Sequence, residues 1–183
     1  MNHKLLQFYI SEDDDIYGLD MDYPTIQRNW RAHFFENTDF EPTENLKELF
    51  QSKWEYSPLL IEPLGLKFEL KKDYPMYPSL EYYDRIYPLF QNIEDGDYED
   101  FLSDLYLDKD YGDGHKIGGT PYFTQSEIRD NQDGLINYIL LFQMDSDDDK
   151  IMWGDCGIAN FFIHPKDLKK RDFSKVAYNW DCH

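Results

Sequence analysis

The run Asn137-Tyr138-Ile139-Leu140-Leu141-Phe142-Gln143-Met144 is strongly apolar. Asp145-Ser146-Asp147-Asp148-Asp149-Lys150 comes next as an acidic break, and residues 151–163 turn apolar again. A short apolar run bounded by turn residues reads as a buried strand. The two runs together read as a long antiparallel hairpin, its second arm bent at Gly154 or Gly157. Downstream, Pro165 opens a short helix through Lys170, since a proline at the first helical position loses no needed N–H. Residues 174–180 close the chain as a strand.

Upstream, residues 110–119 are glycine-rich and punctuate the chain. The first half offers weaker signals. Leu5-Leu6-Gln7-Phe8-Tyr9-Ile10 is a short buried strand, residues 11–22 an acidic loop and residues 30–36 an aromatic second strand. Thr43 caps a short helix carrying Leu46, Leu49 and Phe50. Leu66, Phe68 and Leu70 alternate with Lys67, Glu69 and Lys71, which predicts a strand with one buried face. Ser79 precedes Leu80, Tyr83, Ile86, Tyr87 and Phe90 at helical spacing, with a break expected near Pro88. Asp97, Phe101, Leu102 and Leu105 begin another helix. Strands and helices do not alternate regularly, so the expected class is α+β, an antiparallel sheet with a few short helices.

The chain has 183 residues, which suits one domain spanning residues 1–183, with no disulfide or metal needed to complete a core. Acids number 37 against 18 bases, for a net charge of −19. The charge is uneven: residues 1–113 hold 26 acids and 10 bases, and residues 114–183 hold 11 and 8. Such a balance argues against nucleic-acid binding, which gains affinity from Lys and Arg releasing counterions. It disfavours anionic membrane surfaces as well. No apolar run reaches the ~18 residues of a membrane span, and the N-terminus lacks the pattern of a signal peptide. Two cysteines, Cys156 and Cys182, are too few for a disulfide framework, so the expectation is a cytoplasmic protein.

A short internal likeness joins the two ends. Gln7-Phe8-Tyr9-Ile10 sets on Asn160-Phe161-Phe162-Ile163, an amide before two aromatics and Ile in both. If this is a repeat, the chain opens at the last strand of a unit whose full copy lies near residues 115–164.

Four candidate sites carry chemistry. Ile117-Gly118-Gly119-Thr120-Pro121 has the glycines to cradle an anion with backbone N–H groups, but it lacks the downstream Lys-Ser/Thr pair of a phosphate-binding loop. It therefore reads first as a structural turn. Asp145, Asp147, Asp148 and Asp149 suit calcium oxygens, yet an EF-hand register from Asp145 puts Lys150 at the glycine position and Cys156 at the glutamate. A solvated turn fits better, and no metal or cofactor is expected. Asp155 and Cys156, with His115 or His164, have the residue types of a Cys–His nucleophile, although no spacing brings them together. Asp181-Cys182-His183 at the end reads as a frayed terminus. Of the aromatics, Tyr74, Tyr77, Tyr82, Tyr83 and Tyr87 are the surface candidates, because their segment mixes Pro, Asp and Tyr. Tyrosine at this density suits a partner surface.

Several motifs resemble one bacterial family. Ile117-Gly118-Gly119-Thr120-Pro121-Tyr122-Phe123-Thr124-Gln125 resembles the IGGxPxxxQ signature of the YwqG-like family. Leu140 to Asp147 is similar to its LLQxDSD strand and turn, and Trp153-Gly154-Asp155-Cys156-Gly157 to its WGDxG element. Asn160-Phe161-Phe162-Ile163 and Asp167-Leu168 match the family's stretch beyond that element, and LLQFYISEDDDIYGLD at the start is similar to its mid-chain strand. The resemblance implies a pseudo-symmetric α+β fold of two related halves, here with the front of the first half missing. It implies no activity. An immunity or accessory role beside secreted toxins is implied by association alone.

Together these readings give two expectations. The first is a non-enzymatic binding protein whose acidic part engages a basic protein partner through the five tyrosines. The second is a small-ligand protein or enzyme with its site at Gly118, Gly119, Gln125, Asp155 and Cys156. A strand edge left unpaired by the missing front adds the expectation of a homodimer.

Overall fold

The structure is a computed structural model and describes residues 4–11, 15–39, 65–90, 112–147 and 150–183. Its organising element is β5 (Ile158–Ile163), in which every residue is buried. β5 lies inside a four-stranded antiparallel sheet of order β3 (Lys116–Ile117), β4 (Ile139–Asp145), β5, β6 (Ala177–Asp181). A strand covered on both faces needs apolar residues on both, which explains the nearly unbroken apolar run Ile158-Ala159-Asn160-Phe161-Phe162-Ile163.

Each face of the sheet has its own cover. On one side lies a separate hairpin, β1 (Leu5–Ile10) and β2 (Trp30–Phe35), paired from Leu5 opposite Phe35 to Ile10 opposite Trp30. Alternation sends Leu6, Phe8, Ile10, Trp30, Ala32 and Phe34 into a shared core with Phe161, Ile163, Val176 and Tyr178. Phe8 packs 4.4 Å from Phe161 and 5.0 Å from Phe142, between ring centroids, so the two phenylalanines matched by the internal likeness touch each other. The opposite face carries a second core of Phe123, Leu135, Tyr138, Leu140, Phe162 and Ala177. The loop from β1 to β2 reaches the last strand: the Tyr178 N–H donates to the Pro24 carbonyl, and the Trp180 indole N–H to that of Ile16.

The antiparallel α+β class is as expected, but several elements differ. Residues 66–70 form no strand, and Leu66, Phe68 and Leu70 are 68%, 70% and 103% exposed. Alternation marks a strand only where a neighbouring strand completes its ladder, and no described strand pairs here. The second hairpin arm is shorter than residues 151–163. Ile151 makes an isolated bridge to Asp147, and the chain then turns through Gly154 (φ 57°) and Cys156 (φ 51°) before β5 begins. The anticipated bend is a break. β3 and a one-turn helix α2 (Ile128–Asn131) were not anticipated.

Other elements match. α1 (Leu80–Arg85) starts at Ser79, whose hydroxyl accepts the Tyr82 N–H, and ends before a 3₁₀ turn over Tyr87–Phe90 that contains Pro88. α3 (Pro165–Lys170) begins at its proline and closes on Arg171 in the left-handed region. The helices expected at 43–50 and from 97 lie outside the described residues. β1 is paired along its whole length to β2, and among the described residues no strand lies on its other edge.

Candidate functional site

The glycine turn does hold an anion, and the anion belongs to the chain. Gly118 and Gly119 both have positive φ, 69° and 83°. The Asp73 carboxylate lies against Gly119, where a side chain would collide with it. Its Oδ2 accepts from the Thr120 N–H at 2.5 Å and from the Thr120 hydroxyl at 2.8 Å. Its Oδ1 takes the Lys116 ammonium at 3.1 Å. Burial pushes the Lys116 pKa down, with the Asp73 charge working the other way.

Beyond this turn, residues 119–125 cross the sheet without joining its ladder. Their backbone needs partners, and the sheet supplies side chains. Gln143, Asn160 and Asn179 stand opposite one another across β4, β5 and β6, all buried. Gln143 accepts the Tyr122 N–H at 2.9 Å and donates to the carbonyls of Gly112 and Gly114 at 2.9 and 2.8 Å. Asn160 donates to the Tyr122 carbonyl at 2.8 Å. One row further, Asp181 accepts the N–H groups of Thr124 and Gln125 and the Thr124 hydroxyl. Burial pushes the Asp181 pKa up, against those hydrogen bonds. Gln125 itself is exposed and donates from its side chain to the Cys182 carbonyl.

The remaining motif residues fasten turns. Asp145 accepts the Gly114 N–H at 2.6 Å, and its own N–H donates to His115 Nδ1. Ser146 donates to the Gly157 carbonyl and accepts the Trp153 N–H. Asp155 and Cys156 sit exposed on the turn before β5, where the Asp155 carbonyl accepts the His183 N–H. Gly154 packs there against Trp180 and Cys182. Gly118 and Gly119 are held beside the outer strand β3, whereas Asp155-Cys156 sit on the turn leading into β5, next to the chain's end after β6. Among the described residues no hydrogen bond joins the two sets.

The tyrosines are organised by a buried arginine. Arg129, on α2, is 1% exposed. It makes a paired contact to Glu81 on α1 at 2.9 and 2.7 Å, and ion-pairs with Glu127 at 2.5 Å. It also donates to the Tyr138 carbonyl and lies 5.0 Å over the Phe162 ring. Burial works to lower its pKa, and the two glutamates outweigh burial and hold it above the usual arginine value. Glu127 accepts the Leu80 N–H in addition, so α1 is locked to α2. On this fixed helix and its flanks Tyr77, Tyr83 and Tyr87 are exposed and meet edge to face, with centroids 6.0 and 5.8 Å apart. Tyr82 differs from the other surface candidates: it is 2% exposed and supports the group from beneath. Tyr74 is half-buried. No periodicity pointed to Arg129, because it lies in a helix of one turn.

The architecture defines an α+β protein whose sheet is covered by a hairpin on one face and by an irregular segment hung from side chains on the other. The chain belongs to the family described as a domain of unknown function, DUF1963, whose family model matches residues 2–182. No curated protein matches it. No helix among the described residues is long and apolar enough to cross a membrane.

Proposed function

We propose that this chain is a YwqG-like, non-enzymatic binding protein that engages a basic protein partner, with toxin neutralisation as one form of that role. The observation that carries this reading is the exposed trio Tyr77, Tyr83 and Tyr87, held edge to face around a helix that Arg129 anchors. Rigid tyrosines bury much area at little entropic cost and take Lys or Arg side chains on their faces. Exposed Asp84 and Asp130 stand on the same two helices. The acidic first 113 residues would speed the approach of a cation-rich partner.

The test is binding kinetics against the basic protein that co-purifies with the chain from its host. The association rate is expected to fall steeply between roughly 50 mM and 500 mM salt. The triple variant Tyr77→Ala, Tyr83→Ala, Tyr87→Ala is expected to raise the dissociation rate at least about tenfold while melting like the wild type. A salt-independent rate removes the steering, and an unchanged dissociation rate removes the tyrosine surface.

A second reading is self-association through the outer edge of β1, favoured by that edge's having no neighbouring strand among the described residues. Sedimentation showing a monomer at high concentration overturns it.

A further inference from the structure

Among the described residues, the outer face of the β1–β2 hairpin belongs to neither core. Alternation turns Leu5, Gln7 and Tyr9 of β1 outward, opposite Phe35, His33 and Arg31 of β2. Tyr9, Arg31, His33 and Phe35 of this face, with Arg28, Asn29 and the Ile10–Trp30 end of the hairpin, line an open groove of about 670 Å³. Its volume lies in the range of small-molecule sites, but it is shallow and open to solvent.

The charge of the groove is opposite to that of the chain. Acids outnumber bases about two to one overall, yet Arg28 and Arg31 line this groove and, among the described residues, no Asp or Glu does. Both arginines are exposed. Arg129 and Arg171 behave differently: Arg129 is paired with Glu81 and Glu127, and Arg171 with Glu36. Among the described residues neither Arg28 nor Arg31 forms an ion pair. An arginine left unpaired in so acidic a chain is a free two-pronged donor for a carboxylate or phosphate.

The same face supplies flat apolar surface. Tyr9 is 49% exposed, and its hydroxyl donates to Gln7 Oε1 at 2.6 Å, which fixes the ring beside Arg31. The His33 and Phe35 rings pack with centroids 4.2 Å apart on the same strand. Aromatic walls beside unpaired guanidinium groups favour a ligand with both features. We infer that the groove is a binding site for a small aromatic anion, with Arg31 and Arg28 taking the carboxylate or phosphate and Tyr9 stacking on the ring. It lies on a different element from the α1 tyrosines and does not depend on the binding role proposed for them.

The experiment is calorimetric titration of the full chain with phenyl phosphate, benzoate and inorganic phosphate. Phenyl phosphate or benzoate should saturate one site with a dissociation constant below about 1 mM. The tighter of the two identifies the anionic group. Inorganic phosphate should bind at least about tenfold more weakly, because it lacks the ring. Arg31→Gln and Arg28→Gln should each weaken binding about tenfold or more, and Tyr9→Ala should weaken the aromatic ligands but not inorganic phosphate. These side chains are exposed, so each variant should melt like the wild type. Failure of both aromatic anions to saturate by about 10 mM overturns the site. So does affinity unchanged in both arginine variants. Equal affinity for inorganic phosphate overturns the aromatic part.

Discussion

The Asp73 carboxylate occupies the space that a side chain on Gly119 would need. A remote loop thereby supplies the anion that the Gly118-Gly119 turn is shaped to receive, and the turn itself fixes where residues 119–125 enter the sheet face. The two glycines are not equivalent. A methyl group on Gly118 would meet nothing within 4 Å, so Gly118→Ala suffers only from positive φ, about 1–2 kcal/mol. Gly119→Ala suffers the same strain and displaces Asp73 from Thr120 and Lys116, for a total of roughly 3–4 kcal/mol. Urea denaturation of the two variants should separate them by at least about 1 kcal/mol. Equal losses would mean that Asp73 moves aside freely.

Gln143 ties three backbone groups that have no ladder partner: the carbonyls of Gly112 and Gly114 and the N–H of Tyr122. Gln143→Leu keeps the bulk and removes every one of those bonds. With each buried group left unpaired costing about 1–3 kcal/mol, the variant should lose at least about 3 kcal/mol. Amide exchange at Tyr122 should rise by more than global destabilisation explains. Exchange that rises only in step with global stability would show the segment to be held elsewhere.

The sequence disclosed the sheet better than its covers. β4, β5, α3 and β6 are near neighbours along the chain and announce themselves through apolar runs, a proline and a short turn. The irregular segment 119–125 could not be read as a sheet cover, because its hydrogen bonds go to Gln143, Asn160 and Asp181, side chains 21 to 57 positions away. Gln143 is one polar residue within an apolar strand, and only the strand register aligns it with Asn160 and Asn179. Leu66, Phe68 and Leu70 show the converse: their alternation is genuine, but the segment is exposed and, among the described residues, has no ladder partner. Tyr77, Tyr83 and Tyr87 were legible as surface residues from the prolines and acids around them. Tyr82 was not, since its helical phase is set by packing of α1 on α2 through Arg129.

Arg129 is the keystone of that packing, and removing it leaves Glu127, 4% exposed, without a cation. Arg129→Leu should cost about 3–5 kcal/mol, the usual penalty for breaking a buried pair on one side. Neutralising the stranded acid should restore part of it, so the double variant Arg129→Leu, Glu127→Gln should be more stable than Arg129→Leu alone. Thermal melts of the three proteins check this. A double variant less stable than the single one would show that Glu127 acts mainly as a hydrogen-bond acceptor for Leu80.

Asp181 makes folding depend on pH in a direction unusual for a carboxylate. Burial raises its folded pKa above the unfolded value near 3.9. Between those two values the folded chain keeps a proton that the unfolded chain has released. Stability from this residue is therefore fully present below about pH 3.9 and falls as pH rises through the folded pKa. Asp181→Asn still offers an oxygen to the N–H groups of Thr124 and Gln125, but it has no proton to lose. The stability of wild type minus that of Asp181→Asn should accordingly be greatest at acid pH and decline across this window, then stay flat to about pH 7. Urea denaturation of both proteins at half-unit steps measures it, and subtraction removes the titration of the other acids. A difference that rises with pH would mean that the hydrogen bonds from Thr124 and Gln125 outweigh burial and that Asp181 is held ionised.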